Sequence, residues 1–255
     1  MRVHVVSDVH GRVDVLARAG DSADAFVCLG DLVLFVDYAD HAKGIVADLF
    51  GPDNAAHFIE LRASKRFRDA GAFLGGLWDD LDGDPGDHVA EAVRRQYDEL
   101  LSAMPTPAYL TYGNVDLPRL LPDYLRDGQR LLDGEVIEIG GRTFGFVGGG
   151  LRSPYRTPCE LDDATYAAKI AAVGAVDVLC CHIPPALPDL TYDVVARRFE
   201  RGSEALLDAI RRTQPSYALF GHVHQPLVRR TRVGRTECVN VGHFRGTGTP
   251  YVLEW

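Results

Sequence analysis

Ser7-Asp8-Val9-His10-Gly11 follows the first apolar run of the chain. In an extended strand residues i and i+2 share a side, so the Asp8 carboxylate and the His10 imidazole can enter one site. Together they are ligand types suited to Zn, Mn, Fe or Co. An isolated Asp-x-His triplet is a common accident, so its meaning rests on the other apolar runs. Residues 25–29 stop at Gly30-Asp31 and residues 106–112 at Gly113-Asn114-Val115-Asp116. Residues 176–181 stop at His182, and residues 217–220 at Gly221-His222-Val223-His224. Each has a plain alternative: a Gly-Asp turn, a Gly-Asn cap, a surface histidine pair. In open α/β sheets, however, ligands gather beyond the carboxyl ends of the strands. Asp8, His10, Asp31, Asn114, His182, His222 and His224 can therefore converge from distant parts of the chain.

The elements that must position them follow from the pattern. Short apolar runs alternate with helical segments, beginning with a strand at 3–7 and a helix at 13–19, which indicates an α/β protein. Residues 41–103 break this rhythm. Phe67, Ala70, Leu74 and Leu77 recur at helical spacing, as do Val89, Val93, Tyr97 and Leu100, with a turn at 82–87. The expectation is one domain over 1–255 carrying a helical insertion at about 41–103, two or three helices packed as a cap. Ordinary crossover helices are the alternative. Gly140-Gly141-Arg142 reads as a hairpin, Gly148-Gly149-Gly150 as a flexible loop, and Asp162 to Val173 as a helix. Ser203 should cap a helix over 204–212, and 227–255 should form strands with Gly-containing turns.

Composition sets outer limits. A hydrophobic share of 46% and a charged share of 25% are ordinary for a soluble globular protein. A net charge of −9 argues against a nucleic-acid polymer as partner. It leaves room for a small phosphorylated substrate, because bound cations invert the local field. The 5 cysteines include the adjacent Cys180 and Cys181 and form no CxxC. An odd count and no signal peptide lead us to expect a reduced, cytoplasmic protein. No apolar stretch reaches the roughly 18 residues of a membrane span, so no membrane partner is expected. The oligomeric state is open.

Taken together, the motifs resemble those of the calcineurin-like metallophosphoesterase family, whose signature runs D-x-H, G-D, G-N-H-[DE], H and G-H-x-H. The resemblance spans the chain apart from 41–103. It implies a four-layer αββα sandwich of two mixed sheets flanked by helices, with a two-metal site at one edge. By the same resemblance one metal takes Asp8, His10 and His224, the other takes Asn114, His182 and His222, and Asp31 bridges them. Asp31, Asn114 and His222 would then position a metal-activated water and the phosphate. The implied activity is metal-dependent hydrolysis of a small phosphorylated substrate such as a nucleotide, as a phosphodiesterase or phosphomonoesterase. The metal is Mn, Fe, Zn or Co.

One block departs from the family pattern. Val115 stands where most members have a histidine thought to protonate the leaving group, and valine cannot. Asp116 matches the acidic residue that orients that histidine, and would be left without its partner. Members resembling small bacterial phosphodiesterases also lack the histidine, which favours a diester or a good leaving group. His243, in Asn240-Val241-Gly242-His243, is a candidate replacement acid, with a surface-turn histidine as the plainer reading. Arg152 and Arg198, with Arg197 and Arg201, are candidates for bidentate phosphate contact, or simple surface charges. Tyr155 and Tyr192 could stack on a base. Two other functions fit the motifs: a non-catalytic scaffold, and a phosphoprotein phosphatase. The inserted helices, expected to border the site and narrow it, would obstruct the latter.

Overall fold

β-Branched and aromatic side chains pack well on a pleated surface, and the runs rich in them pair as strands. In the computed structural model, which describes residues 1–154 and 156–255, β1 (Arg2–Val6) leads through α1 (Val13–Leu16) to β2 (Ala25–Cys28). The helices α2 (Ile45–Phe50), α3 (Pro52–Ala63), α4 (Phe67–Asp79) and α5 (Pro85–Ala103) follow. Then come β3 (Ala108–Leu110), β4 (Gln129–Leu131), β5 (Glu135–Ile139), β6 (Arg142–Val147), β7 (Gly150–Leu151) and β8 (Glu160–Leu161). The chain continues through α6 (Asp163–Val173), β9 (Val178–Cys181), α7 (Pro188–Thr191), β10 (Tyr192–Asp193), β11 (Arg198–Phe199) and α8 (Glu204–Thr213). It closes with β12 (Tyr217–Phe220), β13 (Arg230–Val233), β14 (Thr236–Asn240), α9 (Phe244–Thr247) and β15 (Tyr251–Glu254).

Two mixed sheets flanked by helices carry the fold. The first has the order β15-β1-β2-β3-β4 and the second β13-β14-β12-β9-β6-β5. β1 to β4 run parallel, with β15 antiparallel to β1. In the second sheet β14, β12, β9 and β6 are parallel, with antiparallel β13 and β5 at the edges. Parallel neighbours bring their carboxyl ends to one side of a sheet. Val3, Val5 and Val27 of the first sheet share a core with Phe144, Phe146, Val178, Cys180, Leu219 and Val239 of the second. Strand alternation sends Leu179, Cys181, Ala218, Phe220 and Cys238 to the other face, against Tyr166 and Ile170 of α6 and Leu206 and Ile210 of α8. Burial on both faces explains why these strands read as unbroken apolar runs. All the cysteines are free and buried.

Several expected elements are in place with altered limits. The β5–β6 hairpin sets Ile139 opposite Arg142. Asp162 caps α6 by accepting from Thr165 N, and Ser203 caps α8 by accepting from Leu206 N. The first helix ends at Leu16, short of the expected 19, and passes into turns. Gly148 to Gly150 is no free loop: Gly149 N donates to the Tyr112 carbonyl at 2.7 Å, and β7 pairs with β8. A short helix, α9, interrupts the expected C-terminal strands.

Val33–Glu99 forms a compact unit of its own. It holds α2, α3, α4 and most of α5, one helix more than expected. Val46, Ala47 and Ala55 pack with Phe50 and Leu74, while Phe58, Leu61 and Ala70 pack with Phe73. Gln96 of α5 accepts from Leu34 N and donates to Leu34 O, pinning the start of the unit to its last helix. The other unit, Met1–Leu32 with Leu100–Trp255, contains both sheets and every candidate site residue.

Candidate metal centre

The loops that leave β1, β2, β3, β9 and β12 supply the ligand-type side chains, and backbone hydrogen bonds lace those loops together. Asp8 N donates to Gly30 O at 3.0 Å and His10 N to Asp31 O at 2.9 Å. Asp8, His10, Asp31 and His222 adopt φ values of 56°, 41°, 54° and 67°. Left-handed backbone is uncommon outside glycine, and where its surroundings enforce it, it concentrates at functional sites. Two glycines are sterically required beside them. A Cβ on Gly113 would lie 1.9 Å from Asp31 Oδ1, and one on Gly221 would lie 2.0 Å from Ser7 Oγ and 2.3 Å from Asp8 Oδ2.

Asp116 is the clamp of this region. Its carboxylate accepts from Asp31 N at 2.9 Å, Leu32 N at 3.0 Å and Gly113 N at 2.8 Å. With valine at 115, Asp116 has no histidine there to orient, and it holds backbone N–H groups. The buried carboxylate binds backbone and positions the loop carrying Asp31; its oxygens are committed to that task.

Two groups of ligand atoms meet at Asp31. In the first, His224 Nε2 lies 3.4 Å from Asp8 Oδ1 and 3.4 Å from His10 Nε2, and His10 Nε2 lies 4.0 Å from Asp8 Oδ1. In the second, the ligand atoms of Asp31, His182 and His222 lie within 4.8 Å of one another. His182 Nε2 is 3.1 Å from Asn114 Oδ1 and 3.4 Å from Asp31 Oδ2. Asp31 Oδ2 is also 3.9 Å from His10 Nε2. Donors bound to one metal at about 2.1 Å are about 3 to 4 Å apart, which is the spacing seen here.

The donor set fits a cation on two further counts. His182 Nδ1 sits 3.0 Å from the Leu29 carbonyl, which can only accept. Nδ1 therefore carries the proton, and the second nitrogen faces two oxygen acceptors, an arrangement that calls for positive charge between them. Among the described residues, buried Asp8 Oδ1 has no well-formed hydrogen bond, only His224 Nε2 at 3.4 Å, which is costly for a carboxylate without a cation. Asn114 is oriented in turn: its amide nitrogen donates to Thr157 Oγ1 at 3.0 Å, and Thr157 donates to Glu160 at 2.9 Å. Nothing in the sequence pattern marks Thr157, Glu160 or the Leu29 carbonyl as partners of the site.

The electrostatics follow from burial and proximity. Burial works against ionising Asp8 and Asp31, but the facing histidines hold both carboxyls below the usual range. Burial likewise opposes charge on His182 and His224, yet Asp31 raises the former and Asp8 the latter. Burial, then the neighbouring His182, pushes His222 down to about 4.

The remaining candidates are dispersed. The Arg152 guanidinium is exposed and 3.8 Å from Asp162, Arg198 is 2.6 Å from Glu200, and Arg201 is 2.8 Å from Asp163. Arg197 is exposed. Tyr192 packs edge-on to the exposed Phe199, and Tyr155 lies outside the described residues. Val115 N donates to Asp31 Oδ1 at 3.0 Å, so the position contributes backbone. His243 joins the site. Its ring stacks on His224 with centroids 3.9 Å apart and planes 2° from parallel. Burial, then His224, pushes its pKa down to about 3. A neutral imidazole keeps one N–H and one ring nitrogen with a free lone pair.

A family model described as calcineurin-like phosphoesterase matches residues 1–226. The crystal structure of TT1561 of Thermus thermophilus is similar in fold, with a TM-score of 0.54 at 13% identity, covering 99% of this chain and 98% of that one. No curated protein matches.

Proposed function

Because this chain belongs to the calcineurin-like phosphoesterase family, we propose that it hydrolyses a phosphodiester at a centre of two metal ions. Asp8, His10 and His224 would hold one ion and Asn114, His182 and His222 the other, with Asp31 lying between the two groups. The observation that carries this reading is the position of Asp31 Oδ2, 3.9 Å from His10 Nε2 and 3.4 Å from His182 Nε2. Mixed nitrogen and oxygen donors suit Mn, Fe, Zn or Co. Bound there, such a pair supplies Lewis acidity toward a water and toward the phosphoryl oxygens.

The chain's own groups do the rest. The Leu29 carbonyl fixes the tautomer of His182, so that Nε2 turns inward. Thr157 fixes the amide of Asn114, so that its oxygen does the same. Asp116 holds the backbone on which Asp31 sits. Position 115 brings no proton to a leaving group, so departure relies on the leaving group's own stability. That favours a small diester, such as a nucleotide with a low-pKa leaving alcohol, over an alkyl monoester.

Turnover of bis-p-nitrophenyl phosphate and p-nitrophenyl phosphate, each with Mn, Fe, Zn or Co, tests the reading. The diester is the better substrate, and Val115→His raises turnover of an alkyl phosphate ester relative to the p-nitrophenyl esters, whose leaving group needs no proton. No turnover of either compound with any of these metals would sink the hydrolase reading and leave a scaffold.

A further inference from the structure

Each group of ligand atoms draws on both sheets. Asp8 and His10 leave β1, and Asn114 leaves β3, in the first sheet; His182, His222 and His224 leave β9 and β12 in the second. Beside the Asp8 loop the two sheet edges are tied by Asp8 Oδ2, which accepts from His222 N at 2.9 Å, and by Phe244 N, which donates to Ser7 O at 3.0 Å. On the Asn114 side the tie is a lysine. Lys169 of α6 reaches Asp133, which lies in the connection from β4 of the first sheet to β5 of the second. Nζ is 2.8 Å from Oδ1, and the two side chains are only 15% and 28% exposed. The ammonium also donates to the Tyr112 hydroxyl at 3.2 Å and to the Gly148 carbonyl. An ammonium has three donors, and here each has an acceptor. Asp133 accepts in addition from the Tyr112 hydroxyl and from Gly148 N, the latter at 3.0 Å.

Two members of this network adjoin the ligands. Tyr112 follows β3, two residues before Asn114, and its carbonyl accepts from Gly149 N at 2.7 Å. Gly148 follows Val147, the last residue of β6, whose carbonyl accepts from His182 N at 3.2 Å. Gly150 lies so close that a Cβ there would stand 2.7 Å from Asn114 Cβ. Tyr112 extends a strand of the first sheet and Gly148 a strand of the second, and Lys169 and Asp133 grip both. Withdrawing an ammonium from water is costly unless it is paired and hydrogen-bonded, and this network meets that condition. We propose that Lys169 is a positioning residue for the second metal position. With Asp133 and Tyr112 it sets the gap across which Asn114 Oδ1 faces His182 Nε2, 3.1 Å in this structure. The proposal rests on the reading of the site as a metal centre. The Asp8 side has ties of its own, so the first position does not depend on Lys169.

Lys169→Met keeps the apolar stem and removes the ammonium, whereas Lys169→Arg keeps a cation able to bond Asp133. The metal-free protein is titrated with Co(II), reading visible absorption and competition with a chromophoric chelator. Wild-type protein takes up two equivalents, and Asn114→Ala identifies the one bound at the second position. In Lys169→Met that equivalent weakens by about tenfold or more, as for loss of an outer partner of a metal ligand, and its absorption band shifts. The other equivalent is unaffected, and Lys169→Arg recovers most of the loss. Two equivalents that are unchanged in Lys169→Met, or weakened alike, would overturn the proposal and leave the network as a general brace of the fold. Should Lys169→Met fail to fold, as judged by circular dichroism, Tyr112→Phe, which removes only the hydroxyl, is read in the same way. A wild-type protein that binds no Co(II) overturns the metal centre itself, an outcome distinct from failure of the Lys169 assignment alone.

Discussion

At the scale of single residues, the ligand-type side chains were legible and their supports were not. Asp8, His10, Asp31, Asn114, His182, His222 and His224 each end an apolar run, and that position is visible in the letters. The backbone role of Asp116 was not legible, because a sequence match carries over only the family role toward the residue at 115. The fold uses the carboxylate to hold three backbone N–H groups. Replacing Asp116 with alanine leaves those buried donors without an acceptor, at about 1 to 3 kcal/mol for each group. Asp116→Ala is therefore expected to lose about 3 kcal/mol or more of stability in urea denaturation. A loss of activity with an unchanged midpoint would instead point to a chemical role. The left-handed φ values of Asp8, His10, Asp31 and His222 left no trace in the sequence, since none of these is glycine.

At the scale of elements, what matters is how strand ends are brought together. The strands were readable because burial on both faces makes them apolar throughout. The run up to Asn240 is legible as a strand leading into the Gly-containing turn that carries His243; it is β14. Its parallel pairing with β12 depends on sheet order, which local pattern does not encode. The contact between the ends of β12 and β1 is tighter than patterning suggests. Asp8 Oδ2 accepts from His222 N at 2.9 Å directly beside Gly221. In Gly221→Ala the new methyl collides with Ser7 Oγ and Asp8 Oδ2, and Asp8 must move. Overpacking of this kind costs about 1 to 3 kcal/mol. The expected outcome is a lower melting temperature together with weaker metal binding, read by differential scanning calorimetry and elemental analysis. Retained metal content in this variant would show that the close approach does not position Asp8.

At the scale of the whole molecule, the net charge of −9 stands against the anionic substrate proposed for it. In the proposed reading, cations held by Asp8, Asp31 and the histidines would invert that field locally. The helical unit Val33–Glu99 interrupts the sequence between the loops of β2 and β3. Its existence was legible from helical spacing, though its four helices exceed what spacing alone suggested. Among the described residues, no helix is long and apolar enough to cross a membrane. Ions that bind the folded chain and not the unfolded one stabilise it by about 2.7 kcal/mol at a hundredfold excess over Kd. For a chain of this size that corresponds to a melting shift of about 5 to 10 °C. Chelation should lower the melting temperature by that amount, and added Mn should restore it. A melting temperature indifferent to chelation would speak for the scaffold reading.

The claim on which everything else depends is that Asp31 joins two metal positions. The most direct measurement is metal content per chain, taken beside turnover of bis-p-nitrophenyl phosphate, in wild-type protein and in Asp31→Ala. The wild type is expected to carry two ions and to turn over the diester. Asp31→Ala is expected to lose metal from both positions and to lose turnover with it. A variant that keeps two ions, or that hydrolyses the diester as the wild type does, would contradict the account.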